Sequence, residues 1–298
     1  HKIDLLTACR EMFDELGPYA QLMGEVSSIS NRDGRLVGHA KDPISSGLAL
    51  EAFLPADHWK QTGGEAFVIG AGGSSIALTS YLMDAARGDN RPKRIIVSNR
   101  SAPRLEEIKR IHDELGRPVP TEYHHTPRPE DSDAILGRLP PHSLVANATG
   151  LGKDAPGSPI TDVGVFPQQG LAWDFNYRGD LLFLDQARAQ QEKRNLVVKD
   201  GWVYFIHGWT QVIAEVFHID IPTAGPAKEP PAHTPATAAP AHQTTDEPLR
   251  ASMARHEKAL IQAALERHRW HRSRAAKALG VDRKTLFTKL KRHKLLNP

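Results

Sequence analysis

The chain has a single cysteine, Cys9, in 298 residues. One thiol excludes a disulfide scaffold and a cysteine-based zinc site. No apolar run approaches the roughly 18–20 residues needed to cross a bilayer. The opening residues His1-Lys2-Ile3-Asp4 do not resemble a secretory leader. These absences point to a reducing, cytoplasmic setting with no membrane partner. The start reads as a trimmed or processed chain. The histidine pairs His124-His125 and His268/His271 each lack a nearby third ligand, so no metal site is predicted.

Charge is unevenly distributed. From Arg250 onward there are 14 Lys+Arg against 3 Asp+Glu, a net of +11, while the residues upstream carry a net of −8. The basic tail calls for a polyanion, with nucleic acid the first candidate. Between the two units, residues 221–250 hold seven prolines and no aromatic residue. That composition buries too little apolar surface to offset its ordering entropy, and predicts an extended linker. The expected organisation is a partial substrate and catalytic region over 1–60, a dinucleotide-binding domain over 61–220, a Pro/Ala-rich linker over 221–250 and a DNA-binding module over 251–298.

Within the body, short β-branched runs alternate with helix-length segments. Strands are predicted at 65–70, 94–98, 143–147 and 171–174, and helices at 4–22, 74–87, 103–115, 180–192 and 208–217. This alternation predicts an α/β fold with a doubly wound parallel sheet. The segment FVIGAGGSSIA places Gly70, Ala71, Gly72, Gly73, Ser74 and Ser75 between a strand and a helix. A pyrophosphate held at a helix N-terminus requires a tight turn and close backbone approach, which glycine permits. Ser75 stands where the usual third glycine would be, and a glycine-rich turn without a ligand is the alternative. The second strand lacks the terminal acid that would bind a ribose 2′-hydroxyl. It ends instead in Ser98-Asn99-Arg100-Ser101, with Arg104 following. Arginines there suit a 2′-phosphate, so NADP(H) is the expected cofactor, unless both simply face solvent.

Several segments together resemble the shikimate dehydrogenase family: IGAGGSS, SNRSAPR, NATGLG at 147–152, WDFNYRGDLLFLDQA at 173–187 and NRDGRLVGHAKD at 31–42. The resemblance runs over residues 1–219. It implies a Rossmann-like NADP domain with Asn147, Ala148, Thr149 and Gly201 added to the cofactor-binding set. His1-Lys2 matches the end of the family's catalytic lysine segment, which makes Lys2 the catalytic lysine and Asp42 its acidic partner. Such a pair can relay the proton that accompanies hydride transfer; an exposed terminal lysine is the alternative. Substrate contacts are implied for Ser27, Tyr177 and Gln211. The chain also departs from the family. Ser27 and Ala40 replace asparagines, Lys41 replaces a threonine, and Gly208 stands for a glutamine, with Gln211 one turn later. The family's Ser/Thr-rich substrate segment would lie upstream of His1. Polar partners removed from a site cost it specificity. Two functions therefore follow: reduction of 3-dehydroshikimate to shikimate with NADPH, or a regulator whose body senses NADP(H) or a shikimate- or quinate-like acid without turnover.

The tail places helical apolar spacing at Ala259, Leu260, Ala263 and Ala264 ahead of RSRAAKALG and VDRKTLFTKLKRHKLL. Gly280 suits a helix C-cap and Asp282 an N-cap. Ala276, Leu279, Val281, Leu286 and Leu290 would close a small core. Residues 274–291 closely resemble the Fis-type helix–turn–helix of bacterial NtrC-like activators. That implies an all-α module that reads duplex DNA as a homodimer. Arg272, Arg274, Arg283, Lys284, Thr285, Lys289, Lys291 and Arg292 are its DNA-binding candidates. The alternative is a basic hairpin that merely faces water.

Overall fold

Four of the predicted strands form adjacent, fully buried ribbons. Their residues alternate between two cores because both sheet faces are covered. The computed structural model describes Leu6, residues 8–221 and, in the tail, Lys258, Ile261, Gln262, Leu265, His271, Arg272, Ala276, Leu286 and Leu290. The chain divides into two compact units, 1–229 and 230–298. In the first unit the strands are β1 (Glu15–Leu16), β2 (Ser28–Arg32), β3 (Arg35–His39), β4 (Ala66–Ile69), β5 (Ile95–Asn99), β6 (Thr121–His125), β7 (Leu144–Asn147), β8 (Leu171–Asp174) and β9 (Val197–Lys199). The helices are α1 (Pro18–Met23), α2 (Asp42–Glu51), α3 (His58–Thr62), α4 (Gly73–Leu82), α5 (Ala102–Glu114), α6 (Pro129–Leu136), α7 (Leu182–Arg188), α8 (Gln191–Arg194) and α9 (Trp202–Phe217).

The main sheet has six parallel strands in the order β6-β5-β4-β7-β8-β9. This is the doubly wound arrangement, and the strand order reverses between β4 and β7. Ala66 and Val68 point into one core with Val97, Ala146 and Trp173. Phe67 and Ile69 point into the other with Ile96, Val145 and Ala172. A second, three-stranded sheet has the order β1-β3-β2. Its hairpin turns at Asp33 and Gly34, both at positive φ (53° and 82°), the geometry of a two-residue connection. Both sheets share a core, since Ala20, Met23, Val26 and Ala40 pack in the same cluster as Val68 and Leu78.

Several predicted boundaries shift. The expected helix over 4–22 is broken. A 3₁₀ turn at Arg10–Met12 and β1 intervene, and α1 begins only at Pro18, whose fixed φ suits a first helical position. The helix expected over 74–87 ends at Leu82, and Asp84 then caps a separate 3₁₀ turn over Ala85–Arg87. The segment 180–192 splits into α7 and α8, and the segment 208–217 is the second half of the 16-residue α9. The linker 222–250 lies outside the described residues. In the tail, Ala276, Leu286 and Leu290 are helical and buried, as expected of a small core. Leu279 and Val281 lie outside the described residues, as do Ala259, Leu260, Ala263 and Ala264. Two residues one turn apart, Ile261 and Leu265, are helical and buried beside them in sequence.

A buried histidine ties α5 to α4 and β6. His112 has no exposed surface. Its Nε2 lies 2.7 Å from Thr79 Oγ1, and its Nδ1 lies 2.8 Å from the Tyr123 hydroxyl. Thr79 donates its own proton to the Ser75 carbonyl at 2.8 Å, so Nε2–H is the donor and Nδ1 accepts from Tyr123. Burial, reinforced by Arg117, lowers the His112 pKa to about 4. The unfolded chain takes up this proton near pH 6.5 and the folded one near 4, so His112 contributes stability above 6.5 that is lost as pH falls toward 4. The loss amounts to about 3 kcal/mol. His112→Gln is expected to be less stable at pH 7.5 yet to lose less on acidification. Urea unfolding of both proteins at pH 7.5 and 4.5 checks this, because every other titrating group is common to the pair. Equal losses would contradict it.

Candidate dinucleotide and active-site cleft

At the carboxyl ends of β4 and β7, where the strand order reverses, lies a cleft of about 1170 Å³. A doubly wound sheet places its ligand at this point. The turn from β4 into α4 forms its floor through Gly70, Ala71, Gly72, Gly73 and Ser74. Gly70 has φ +115°, and a Cβ there would stand 2.7 Å from the Ala148 carbonyl oxygen. The strand-to-helix turn and the β7 loop can therefore approach each other only through glycine. The open face at Gly72, with nothing within 4 Å of its would-be Cβ, leaves the backbone accessible at the N-terminus of α4.

The β5 end supplies Asn99, Arg100, Ser101 and Arg104 to the cleft wall. Arg100 is exposed, and Arg104 pairs with Glu107 at 2.7 Å. The wall also includes Asp42, Ala148 and Thr149. Asp42 is the first residue of α2. Eleven predicted residues thus meet in one cleft: Asp42, Gly70, Ala71, Gly72, Gly73, Ser74, Asn99, Arg100, Arg104, Ala148 and Thr149.

Three expected cofactor contacts do not line it. Ser75 is fully buried beneath the turn. Gly201 is the N-cap of α9, where a Cβ would stand 2.1 Å from the Phe175 carbonyl oxygen; its constraint is packing. Asn147 is fully buried, with its side chain spent on its neighbours. Its Nδ2 donates to Asp174 Oδ2 at 3.1 Å, and its Oδ1 accepts from the Thr149 amide at 3.1 Å and hydroxyl at 2.7 Å. Asn176 completes the set, donating to the Thr149 and Leu151 carbonyls at 3.0 and 3.2 Å, while its amide donates to Asp174 Oδ1 at 2.8 Å. Asn147 therefore shapes the NATGLG loop from below. Burial pushes the Asp174 carboxyl up to about 6, against hydrogen bonds from Asn176 and Asn147 that lower it. Asn147→Ala is expected to weaken NADPH binding about tenfold and to destabilise the fold by about 1–3 kcal/mol, the cost of stranding a buried acceptor. Cofactor titration and urea unfolding test it; unchanged affinity would show that the loop needs no such support.

The three implied substrate residues also lie off the cleft wall. Ser27 uses its hydroxyl locally: it donates to the His39 carbonyl at 3.3 Å and accepts from the Lys41 amide at 2.7 Å. Tyr177 stacks on Phe205 with ring centroids 4.3 Å apart. Gln211 is half-buried on α9. Lys2 lies outside the described residues. So do Arg274, Arg283, Lys284, Thr285, Lys289, Lys291 and Arg292, whereas Arg272 is helical and exposed.

Sequence spacing did not reveal Glu25, Thr126, Arg128, Lys153 and Tyr204, which also line the wall. They arrive on separate loops and on α9, brought together by the fold. Helix α9 is itself clamped to the small sheet by Glu215. That carboxylate takes Lys41 Nζ and Arg32 Nη2, each at 2.5 Å, and lies 3.0 Å from Nε2 of His39, whose pKa burial lowers. Burial alone would raise its pKa, but hydrogen bonds from Lys41 and Arg32 outweigh this and hold it below the usual range. Among the described residues no group of three or more His, Cys, Asp or Glu is placed to hold a metal, and no helix is long and apolar enough to cross a membrane.

Sequence comparison aligns 183 residues with the NADP(+) shikimate dehydrogenase of Streptococcus thermophilus at 30% identity, over 60% of this chain and 58% of that protein. The enzyme of the same name from Symbiobacterium thermophilum is 30% identical over 197 residues, 65% of this chain and 61% of that one. The chain thus spans about six-tenths of the length of these curated relatives. Among solved structures, shikimate 5-dehydrogenase from Thermus thermophilus, in complex with NADP(H) and shikimate, superposes with a TM-score of 0.53 at 25% identity. That match covers 73% of this chain and 72% of that one. Residues 252–293 match the family model for the bacterial regulatory protein, Fis family. The body of the chain therefore has a Rossmann-like α/β fold with shikimate dehydrogenases as its homologues, and the C-terminal segment matches the Fis-family model.

Proposed function

We propose that the body is an NADP(H)-dependent oxidoreductase of the shikimate dehydrogenase type, which interconverts 3-dehydroshikimate and shikimate and is joined to a module that binds duplex DNA as a homodimer. One observation carries this reading: the glycine turn, Arg100, Arg104 and Asp42 line one cleft at the switch point of the sheet. The cleft suits the cofactor because glycine is sterically required at its floor and cations stand at the β5 end. Arg100 and Arg104 would hold the 2′-phosphate, and the amides of Gly72–Ser74 the pyrophosphate. Bound there, NADPH supplies the hydride. The chain's own residues would handle the accompanying proton: Lys2 as the catalytic lysine and Asp42, on the cleft wall, as its acidic partner would together relay it to and from the substrate oxygen. The test is initial-rate NADP⁺ reduction by the full chain with shikimate and with quinate.

A second reading, a transcriptional regulator that senses NADP(H) or such an acid without turnover, is favoured by the Ser27 hydroxyl, which is engaged with His39 and Lys41, and by the fused Fis-type segment. Cofactor binding with no turnover on either acid would select it.

A further inference from the structure

Glu25, Asp42 and Tyr204 reach the cleft from outside the nucleotide-binding strands. Glu25 is 5% exposed, and its Oε2 lies 3.3 Å from where a Cβ on Gly73 would stand. The carboxylate therefore sits against the first residue of α4, at the end of the glycine turn. The Tyr204 ring is fixed edge-on against Phe175 (4.8 Å) and Trp173 (6.4 Å), at the end of β8. Tyr204 shares the cleft wall with Ser74 of the turn. Burial first, then the charges of Asp42 and Glu25, push the Tyr204 pKa above its ordinary value, so the phenol keeps its proton and both acids lie within electrostatic reach of it. β8 and β5 lie on opposite sides of β4, so this acidic corner lies across the glycine turn from Arg100 and Arg104.

A dinucleotide with its 2′-phosphate at Arg100 and Arg104 and its pyrophosphate on the turn would extend its nicotinamide toward this corner. The oxidised ring carries a positive charge that the reduced ring lacks. Fixed negative charge in a partly dehydrated cleft cannot bind the two forms equally. We infer that Glu25, acting with Asp42, makes the cleft prefer the oxidised over the reduced nicotinamide cofactor, so that occupancy of the body follows the redox ratio of the pool. The inference rests on the nicotinamide-cofactor reading given above. It makes Glu25 a determinant of redox-state specificity, acting through space on the cofactor ring.

The experiment is calorimetric titration of the full chain with NADP⁺ and with NADPH at pH 7.5, for the unsubstituted protein, Glu25→Gln and Glu25→Asp. The unsubstituted chain is expected to bind NADP⁺ more tightly than NADPH. Glu25→Gln should shrink the affinity ratio about threefold or more, and Glu25→Asp, which keeps the charge, should preserve it. Asp42→Asn supplies an independent variant and should shift the ratio in the same sense. Loosened packing would weaken both forms alike and leave the ratio unchanged. A ratio that neither Glu25→Gln nor Asp42→Asn alters, or tighter binding of NADPH by the unsubstituted chain, overturns the inference while the cofactor reading stands. Failure to bind either form overturns the cofactor reading and the inference with it.

Discussion

Asp42→Asn is expected to cut shikimate oxidation by about 10²–10⁴-fold, the usual contribution of a positioned proton-transfer group. NADPH affinity should change by less than about twofold, because the substitution removes a charge from a site where the reduced ring carries none. The reason for the first effect is positional. Asp42 opens α2 and shares the cleft wall with the glycine turn and with Thr149 of the β7 loop. A carboxylate there can accept a proton and return it; an amide of the same shape can do neither. The side chain is half-buried at the first position of a helix, so the amide should be tolerated structurally. Turnover and NADPH titration, run on the same preparation, separate the two effects. Undiminished turnover would remove Asp42 from the proton path.

The second large effect concerns the tail. Deleting residues 250–298 is expected to lower affinity for duplex DNA by at least about 10²-fold, because phosphate neutralisation supplies most of such binding. The tail carries a net charge of +11 while the residues upstream carry −8, so the body alone should be repelled by the duplex. Residues 252–293 match the Fis family of bacterial regulators, and the described residues fit a folded module: Ile261, Leu265, Ala276, Leu286 and Leu290 are helical and buried, and Arg272 is exposed. One such module offers few contacts, so two copies should bind half-sites about one helical turn apart. Lys291→Ala should weaken all sequences alike and flatten the salt dependence. Arg283→Ala or Thr285→Ala should instead change which sequences are preferred. A salt series by fluorescence anisotropy, with and without residues 250–298, checks the assignment. A truncated body that binds as well as the full chain would refute it.

How far the fold could be read from the residues depended on how each element earns its stability. β4, β5, β7 and β8 are short apolar runs buried on both faces, and each lies within a residue or so of the predicted bounds. β6 and β9 are the sheet's two outer strands. Thr121–His125 is half-covered and polar, and Val197–Lys199 is three residues long, so neither carries the continuous apolar signal of an inner strand. The hairpin of β2 and β3 had a signal, Asp33-Gly34, within a segment noted only for its family likeness. Gly17-Pro18 likewise marked the break in the first helical pattern.

The same division holds in the cleft. Gly70, Gly72, Gly73 and Arg100 follow one another along a strand–turn–helix and a neighbouring strand end, so their spacing exposes them. Glu25 and Tyr204 reach the cleft only through packing between segments distant in sequence. Asn147 and Ser27 show the opposite limit. The family resemblance implied ligand contacts for both, but their hydrogen bonds are satisfied by Asp174 and Thr149 in one case, and by His39 and Lys41 in the other.

A cleft that holds a 2′-phosphorylated dinucleotide is the centre of this account, and calorimetric titration of the full chain with NADPH and NADH, before and after Arg100→Ala, tests it most directly. NADPH should bind at least about tenfold more tightly than NADH, the margin expected of charge-assisted hydrogen bonds to a phosphate. Arg100→Ala should then remove most of that margin and leave NADH nearly unchanged. Equal affinity for the two cofactors, or an equal loss of both on substitution, would contradict it.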